Sequence, residues 1–187
     1  RISVAVYPFM KYELFLPWDN EQFDGVVTAC IDWMIEKGLL RQDKDSALLG
    51  KPQGGSVDDL QLRVLGHAML QTFERYYITV AVLAKNGSGK LTRSELERLC
   101  ILTAQRISLL NEFAAPEFYD RNLFRYFITL LRDTGVLTTN ENNKLEFNSV
   151  IQQIAEDSRF ILSQEIRHNI IRVAPQVLNE PEATEKA

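Results

Sequence analysis

The sequence predicts a mainly α-helical domain with a small β-hairpin, arranged like a winged helix in its second half. Three observations predict it. Apolar residues recur at helical spacing over most of the 187 residues. Capping residues open those runs and glycines close them. Two short aliphatic stretches flank the turn Asn140–Asn143.

The chain begins with the alternating apolar segment Arg1–Tyr7, without an initiator Met or a signal-peptide pattern, as expected of a piece of a longer protein. Tyr7–Trp18 is dense in aromatic residues. Pro8 fits the first turn of a short helix and Pro17 its end. So much apolar area is expected to be buried, and residues 1–18 read as a connector from a missing upstream domain.

Asp19 to Lys37 is the cleanest helix. Asp19 caps it, with Gln22 three residues on. Phe23, Val26, Val27, Cys30, Ile31, Met34 and Ile35 form one face that the spacing predicts to be buried. Gly38 stops the helix in a left-handed cap, and Leu39 is placed for the accompanying apolar contact. Residues Arg41 to Gly55 are polar and read as a mobile loop. Ser56-Val57-Asp58-Asp59 opens a second helix with an acidic first turn. Its apolar positions run from Leu60 to Ala84, and Gly66 either bends it or divides it in two.

After Gly87 comes Thr92-Arg93-Ser94-Glu95, a capping box. The helix it starts is expected to carry Leu96, Leu99, Cys100, Ile107 and Leu110 inward. Pro116 marks another start, with Leu123, Phe124, Phe127, Ile128 and Leu131 as an apolar face ending at Gly135. Val136–Thr139 and Lys144–Phe147 make the hairpin, and a last helical region runs from Ser149 to an exit near Pro175. The acidic residues 175–187 read as a disordered tail, leaving 19–174 as one helical domain. Ile35–Leu40 and Arg132–Leu137 share a helix–Gly–aliphatic ending, so one helix-to-hairpin device is expected twice.

Composition is that of an ordinary globular protein, 45% hydrophobic and 25% charged. A net charge of −4 supplies no global field that would recruit nucleic acid. Cys30 and Cys100 both fall on apolar helical faces and read as core thiols of a reducing compartment. The longest apolar run, Ile78–Ala84, is far short of the ~18 residues that span a bilayer.

Asn86-Gly87-Ser88-Gly89-Lys90 imitates a phosphate-binding loop. Such a loop needs a glycine five residues before the Gly-Lys pair and a Ser or Thr after it; Ala84 and Leu91 stand there. The preceding stretch also continues a helix, so the glycines read as a helix stop with positive φ.

No catalytic, cofactor or metal residue is expected on this chain, and its substrate-binding residues are unknown. Neither His67 nor His168 opens a His-x-x-x-x-Asp motif, because Thr72 and Val173 occupy the fifth positions. His67 reads as a partly buried structural histidine, and Glu165 lies one turn from His168 as an ordinary surface partner. The cysteines and histidines lack zinc-site spacing, and no Gly-x-Ser-x-Gly elbow is present. The alternative function is a winged-helix-like nucleic-acid-binding or protein-interaction adaptor. Arg121, Arg125 and Arg132 lie on or near its third helix, but Glu117, Asp120 and Asp133 interrupt the charge, so no nucleic-acid partner is expected.

Four ordered blocks carry a family resemblance: YPFMKYELFLPW at Tyr7–Trp18, FERYYITVAVLAKNGSGKLTRSELERLCILTAQRISLL at Phe73–Leu110, EFAAPEFYDRNLFRYFITLLRDTGVL at Glu112–Leu137 and ILSQEIRHNII at Ile161–Ile171. Together they resemble the C-terminal region of bacterial glycerol-3-phosphate 1-O-acyltransferase. The resemblance implies a parent enzyme that transfers a fatty acyl group from acyl-CoA or acyl carrier protein to the sn-1 hydroxyl of glycerol 3-phosphate. It implies phospholipid synthesis at the cytoplasmic face of the bacterial inner membrane. The family's His-x-x-x-x-Asp motif and phosphate-binding arginine blocks belong upstream, so none is carried onto this chain. A non-catalytic helical domain that packs on that upstream acyltransferase domain is expected, inactive by itself and using no cofactor.

Overall fold

The computed structural model describes residues 7, 10, 11, 14–43, 46, 48–110 and 116–177. It is mainly helical, with two small antiparallel strand pairs among the described residues. The strand-like start before Tyr7, Pro8 and tail residues 178–187 lie outside the described residues. The chain divides between Gln71 and Thr72 into two compact units.

The first unit holds α1 (Asn20–Glu36), β1 (Arg41–Gln42), β2 (Leu49–Gly50) and the opening of α2, which runs Val57–Asn86 and passes through Gly66. The Asp19 backbone N–H donates to Gln22 Oε1 at 3.0 Å, one arm of the expected box. At the other end Gly38 has φ +75. Its N–H reaches Ile35 O at 3.0 Å while that of Leu39 reaches Met34 O at 2.8 Å. That pair of bonds is a Schellman cap, and Leu39 is buried beneath it. Within the stretch read as a mobile loop a short strand pair forms, with register Arg41↔Gly50 and Gln42↔Leu49. Each glycine-terminated helix of the internal echo therefore leads into an antiparallel pair.

Burial in this unit departs from expectation. The α1 face is half-buried rather than buried, and Cys30 is exposed. His67 and Leu60, Val64 and Leu65 on the α2 opening are exposed as well. The physical reason is a shortage of covering side chains. Among the described residues 7–71, the buried apolar ones are Tyr7, Leu39 and Pro52. Tyr7 stacks on Phe23 with ring centroids 3.7 Å apart, and its hydroxyl donates to the Trp18 carbonyl.

The second unit contains the rest of α2, α3 (Arg93–Leu110), a 3-10 turn (Pro116–Tyr119), α4 (Arg121–Asp133), β3 (Leu137–Thr139), β4 (Leu145–Phe147), α5 (Ser149–Asp157), a second 3-10 turn (Ser158–Phe160) and α6 (Gln164–Val173). Helix α3 packs against α4, the first 3-10 turn and α6. Ile78, Leu96, Cys100, Phe124, Ile128, Leu131 and Ile170 are fully buried around it. Tyr76 stacks on Phe127 at 4.2 Å, tying α2 to α4.

Two boundaries move. Helix α4 begins at Arg121 rather than Pro116 because Asp120 Oδ1 accepts the Asn122 N–H at 2.7 Å and caps it there. The last helical region is two helices, since Ser163 Oγ accepts the Ile166 N–H at 3.2 Å and starts α6 afresh. Leu110, expected inward, is exposed at the end of α3. The chain leaves α6 just before Pro175, and residues 175–177 are held to the end of α2. Asn86 Nδ2 donates to Pro175 O at 3.2 Å, and the Val177 N–H donates to Asn86 Oδ1 at 2.8 Å. Lys85 Nζ caps the carbonyls of Ile171 and Ala174 at 2.8 and 2.6 Å, closing the C-terminus of α6 with a cation.

Candidate functional site

The glycine loop after α2 imitates a nucleotide site in its sequence. Gly87 and Gly89 take φ +90 and +74, as the helix-stop reading requires. The Gly87 N–H closes the last turn of α2 on Leu83 O at 2.9 Å. The Gly89 N–H is spent on Leu145 O at 2.8 Å, and Leu145 N–H returns to Leu91 O at 2.7 Å. Ser88 Oγ donates to Phe147 O at 3.2 Å and accepts from the Phe147 N–H at 2.9 Å. The loop thus docks on β4 through the Gly89 amide and the Ser88 hydroxyl, which are turned to the hairpin instead of to a ligand.

The capping box then starts α3. Thr92 N–H donates to Glu95 Oε2 at 2.7 Å, and Glu95 N–H to Thr92 Oγ1 at 3.3 Å. Lys144 from the hairpin adds an ion pair to the same carboxylate at 3.1 Å. The Thr92 amide, the Thr92 hydroxyl and Lys144 together hold the Glu95 carboxyl down at about 2.

Two residues further along α3 sits Glu97, a buried acid. Three arginines converge on it. Arg93 Nε donates to Glu97 Oε1 at 3.2 Å and Arg93 Nη2 to Thr129 Oγ1 at 2.8 Å. Arg121 Nε and Arg125 Nε, both on α4, stand 3.6 Å from Glu97 Oε2. Two clefts flank the cluster. A cleft of about 330 Å³ is lined by Arg93, Ser94, Glu97, Arg132, Thr139 and Asn143, among others. One of about 720 Å³ is lined by Ser94, Glu95, Arg98, Ile101, Gln105 and Arg121, among others. Of the arginines singled out by sequence, Arg121 and Arg125 are brought together and Arg132 lies at the neighbouring cleft. Glu97, Arg93 and Arg98 were missed. Their only sequence signal is the i,i+4 spacing of Arg93 and Glu97, which surface helices also show.

The remaining titratable groups are scattered. His67 and His168 are both exposed. Cys100 is sealed in the core, where burial pushes its thiol up to about 12. Burial also raises Glu74 to about 7, partly offset by the charge of Arg75. Burial raises the Tyr77 phenol, against Arg167 and a hydrogen bond with Ser158. Asp59 is lowered, mainly by the Gly55 N–H, which it accepts at 3.1 Å. No group of three potential metal-ligating side chains gathers among the described residues. No helix among them is long and apolar enough to cross a membrane.

A family model described as "Glycerol-3-phosphate acyltransferase C-terminal region" matches residues 3–140. The glycerol-3-phosphate acyltransferase of Xanthomonas campestris pv. campestris is 45% identical over 178 residues, covering 94% of this chain and 20% of that protein. That of Xylella fastidiosa strain 9a5c is 42% identical, again over 94% of this chain and 20% of the relative. The enzyme of Pseudomonas aeruginosa strain UCBPP-PA14 is 37% identical over 99% of the chain and 22% of its own length. The chain spans about a fifth of the length of these curated relatives. No solved structure matches it.

Proposed function

Because the chain belongs to the glycerol-3-phosphate acyltransferase C-terminal-region family, we propose that it serves as a non-catalytic helical domain of such an enzyme. The parent would move a fatty acyl group from acyl-CoA or acyl carrier protein to the sn-1 hydroxyl of glycerol 3-phosphate, at the cytoplasmic face of the inner membrane. The observation that carries this reading is coverage. Nearly the whole chain aligns with relatives that bear the enzyme's name, yet it accounts for about a fifth of them.

The first unit supplies the physical reason to expect a neighbour. Val57, Leu60 and Val64 stand at i, i+3 and i+7 on α2, and each is more than 60% exposed. Trp33 on α1 is exposed as well. A helical stripe of this kind in water is a docking face. Its occupant on this reading is the catalytic part of the same polypeptide, which the length of the relatives leaves room for. The test is acyl transfer by this chain alone, with labelled acyl-CoA and glycerol 3-phosphate. The expected product is no more than the enzyme-free blank, and turnover above it would overturn the assignment.

A nucleic-acid or protein adaptor is the second reading, favoured by the order helix, helix, helix, hairpin from α2 to β4. Duplex binding that weakens with salt at near-physiological ionic strength would carry its DNA-binding form.

A further inference from the structure

The geometry around Glu97 points to an anion site of the second unit, built for a phosphate dianion. The charge count is the starting point. One buried carboxylate receives three guanidinium groups, from Arg93, Arg121 and Arg125. A buried carboxylate must be paired, and the hydrogen-bonded Arg93 already does that. Arg121 and Arg125 are therefore surplus to the burial of Glu97, and the cluster carries two positive charges in excess.

The surplus cations are arranged at a cost. Arg121 and Arg125 are four residues apart on α4, and like charges at that spacing repel. Neither approaches Glu97 within hydrogen-bonding distance, each standing 3.6 Å away. Their forks remain largely in solvent, with side-chain exposures of 62% and 48%. Their Nε atoms converge on Glu97 Oε2, and neither guanidinium makes a side-chain hydrogen bond to another described residue. Guanidinium forks match the tetrahedral oxygens of phosphate in pairs. Two excess charges match a dianion. Convergence on a point, rather than a stripe along a helix, favours a compact anion over an extended polyanion or an acidic protein face. The clefts on either side, with Arg132 in one and Arg98 in the other, leave room for the group that bears the phosphate.

Two nearby carboxylates carry bonds of their own, and Asp120 is taken up in capping α4 through the Asn122 N–H at 2.7 Å. Glu95 lines one cleft but is spent on Thr92 and Lys144. The phosphate could be free, on a small soluble ester, or on a lipid headgroup; the recognising chemistry is the same.

The test titrates the 187-residue chain with inorganic phosphate at constant ionic strength, read by backbone and arginine side-chain NMR shifts. Saturable shifts centred on Arg93, Arg121 and Arg125 are expected. Arg121→Gln, a change at an exposed side chain that leaves the core intact, should weaken binding roughly fivefold. Arg121→Gln with Arg125→Gln should abolish it, whereas Arg172→Gln on α6 should leave it unchanged. Phosphatidylcholine vesicles with and without phosphatidic acid separate the sources. Sedimentation with the phosphatidic acid vesicles that the double variant loses assigns the site to a headgroup. Phosphate binding without sedimentation assigns it to a soluble phosphomonoester. Unsaturable shifts, or shifts that survive in the double variant, overturn the proposal. So does duplex DNA binding that the double variant loses without saturable phosphate binding in the parent chain. None of these outcomes depends on whether the chain by itself transfers an acyl group.

Discussion

Cys30 and Cys100 carry the same functional group into opposite surroundings. Cys30 is exposed on α1, while Cys100 is fully buried against Thr79, whose Oγ1 lies 3.7 Å from its sulfur. Because the thiolate is the reactive species, the Cys100 thiol, raised to about 12, is inert while the second unit stays folded. A thiol reagent at pH 8 should label one sulfur promptly and the second only in denaturant. Mass spectrometry after brief labelling should find the tag on Cys30, and tagging of Cys100 at a similar rate would contradict the burial. Glu74 offers a second test. Its folded pKa of about 7 lies above the ordinary carboxylate value, so the native state binds the proton more tightly than the unfolded chain. Stability should accordingly fall as pH rises from about 4.5 to 7, by on the order of 2 kcal/mol. Glu74→Gln should flatten that slope and be the more stable protein at pH 8. Equal pH dependence of the two proteins in chemical denaturation would refute the assignment.

At the scale of elements, the loop between α2 and α3 is where local chemistry decides most. A Cβ on Gly87 would meet nothing closer than Lys90 Cγ at 3.8 Å, so sterics with neighbours are not the issue. The obstacle is its φ of +90, which costs an L-residue on the order of 1–2 kcal/mol. Gly87→Ala should lower the denaturation midpoint accordingly, with unchanged helix content by circular dichroism. Thr92→Ala should remove the Thr92 side of the capping box and cost about 1 kcal/mol. The Glu95 part of that box is also acid-sensitive. With its carboxyl lowered to about 2, its contribution is complete above about pH 4.5 and is lost as pH falls toward 2. Thr92→Ala should therefore be less harmful at pH 2 than at pH 7, and an equal loss at both would argue against the box.

Across the whole molecule, legibility tracked how local each determinant was. The caps at Asp19, Gly38 and Thr92 were readable because a cap is a contract between residues three or four apart. The hairpin Leu137–Phe147 was readable from its Asn-rich turn, where Asn143 takes φ +58 and Asn140 Oδ1 accepts two backbone N–H groups. Burial was not, since an apolar stripe states what would be covered and not whether a partner is present. Cys30, Leu60, Val64 and Leu110 fit helical faces and are exposed. The arginine cluster was half legible: Arg121 and Arg125 stood out, but their convergence on Glu97 needs α3 and α4 side by side. The second unit also depends on its last residues. Asn86→Ala removes bonds to Pro175 and Val177 and should release that segment, raising its amide exchange at least tenfold while α3 amides stay protected. Exchange unchanged at Val177 would show that Asn86 is not the anchor.

The clasp between Lys85–Asn86 and the stretch ending at Val177 also sets a timetable. The two partners are separated by as many as 91 residues, so the clasp forms only when nearly all of the second unit has left the ribosome. Until then Lys85 Nζ and Asn86 Oδ1 at the end of α2 are without their partners from the C-terminal stretch. Closure of this unit during synthesis is thus a late event, and a translational pause before residue 164 would leave the nascent chain without the helix that the clasp holds.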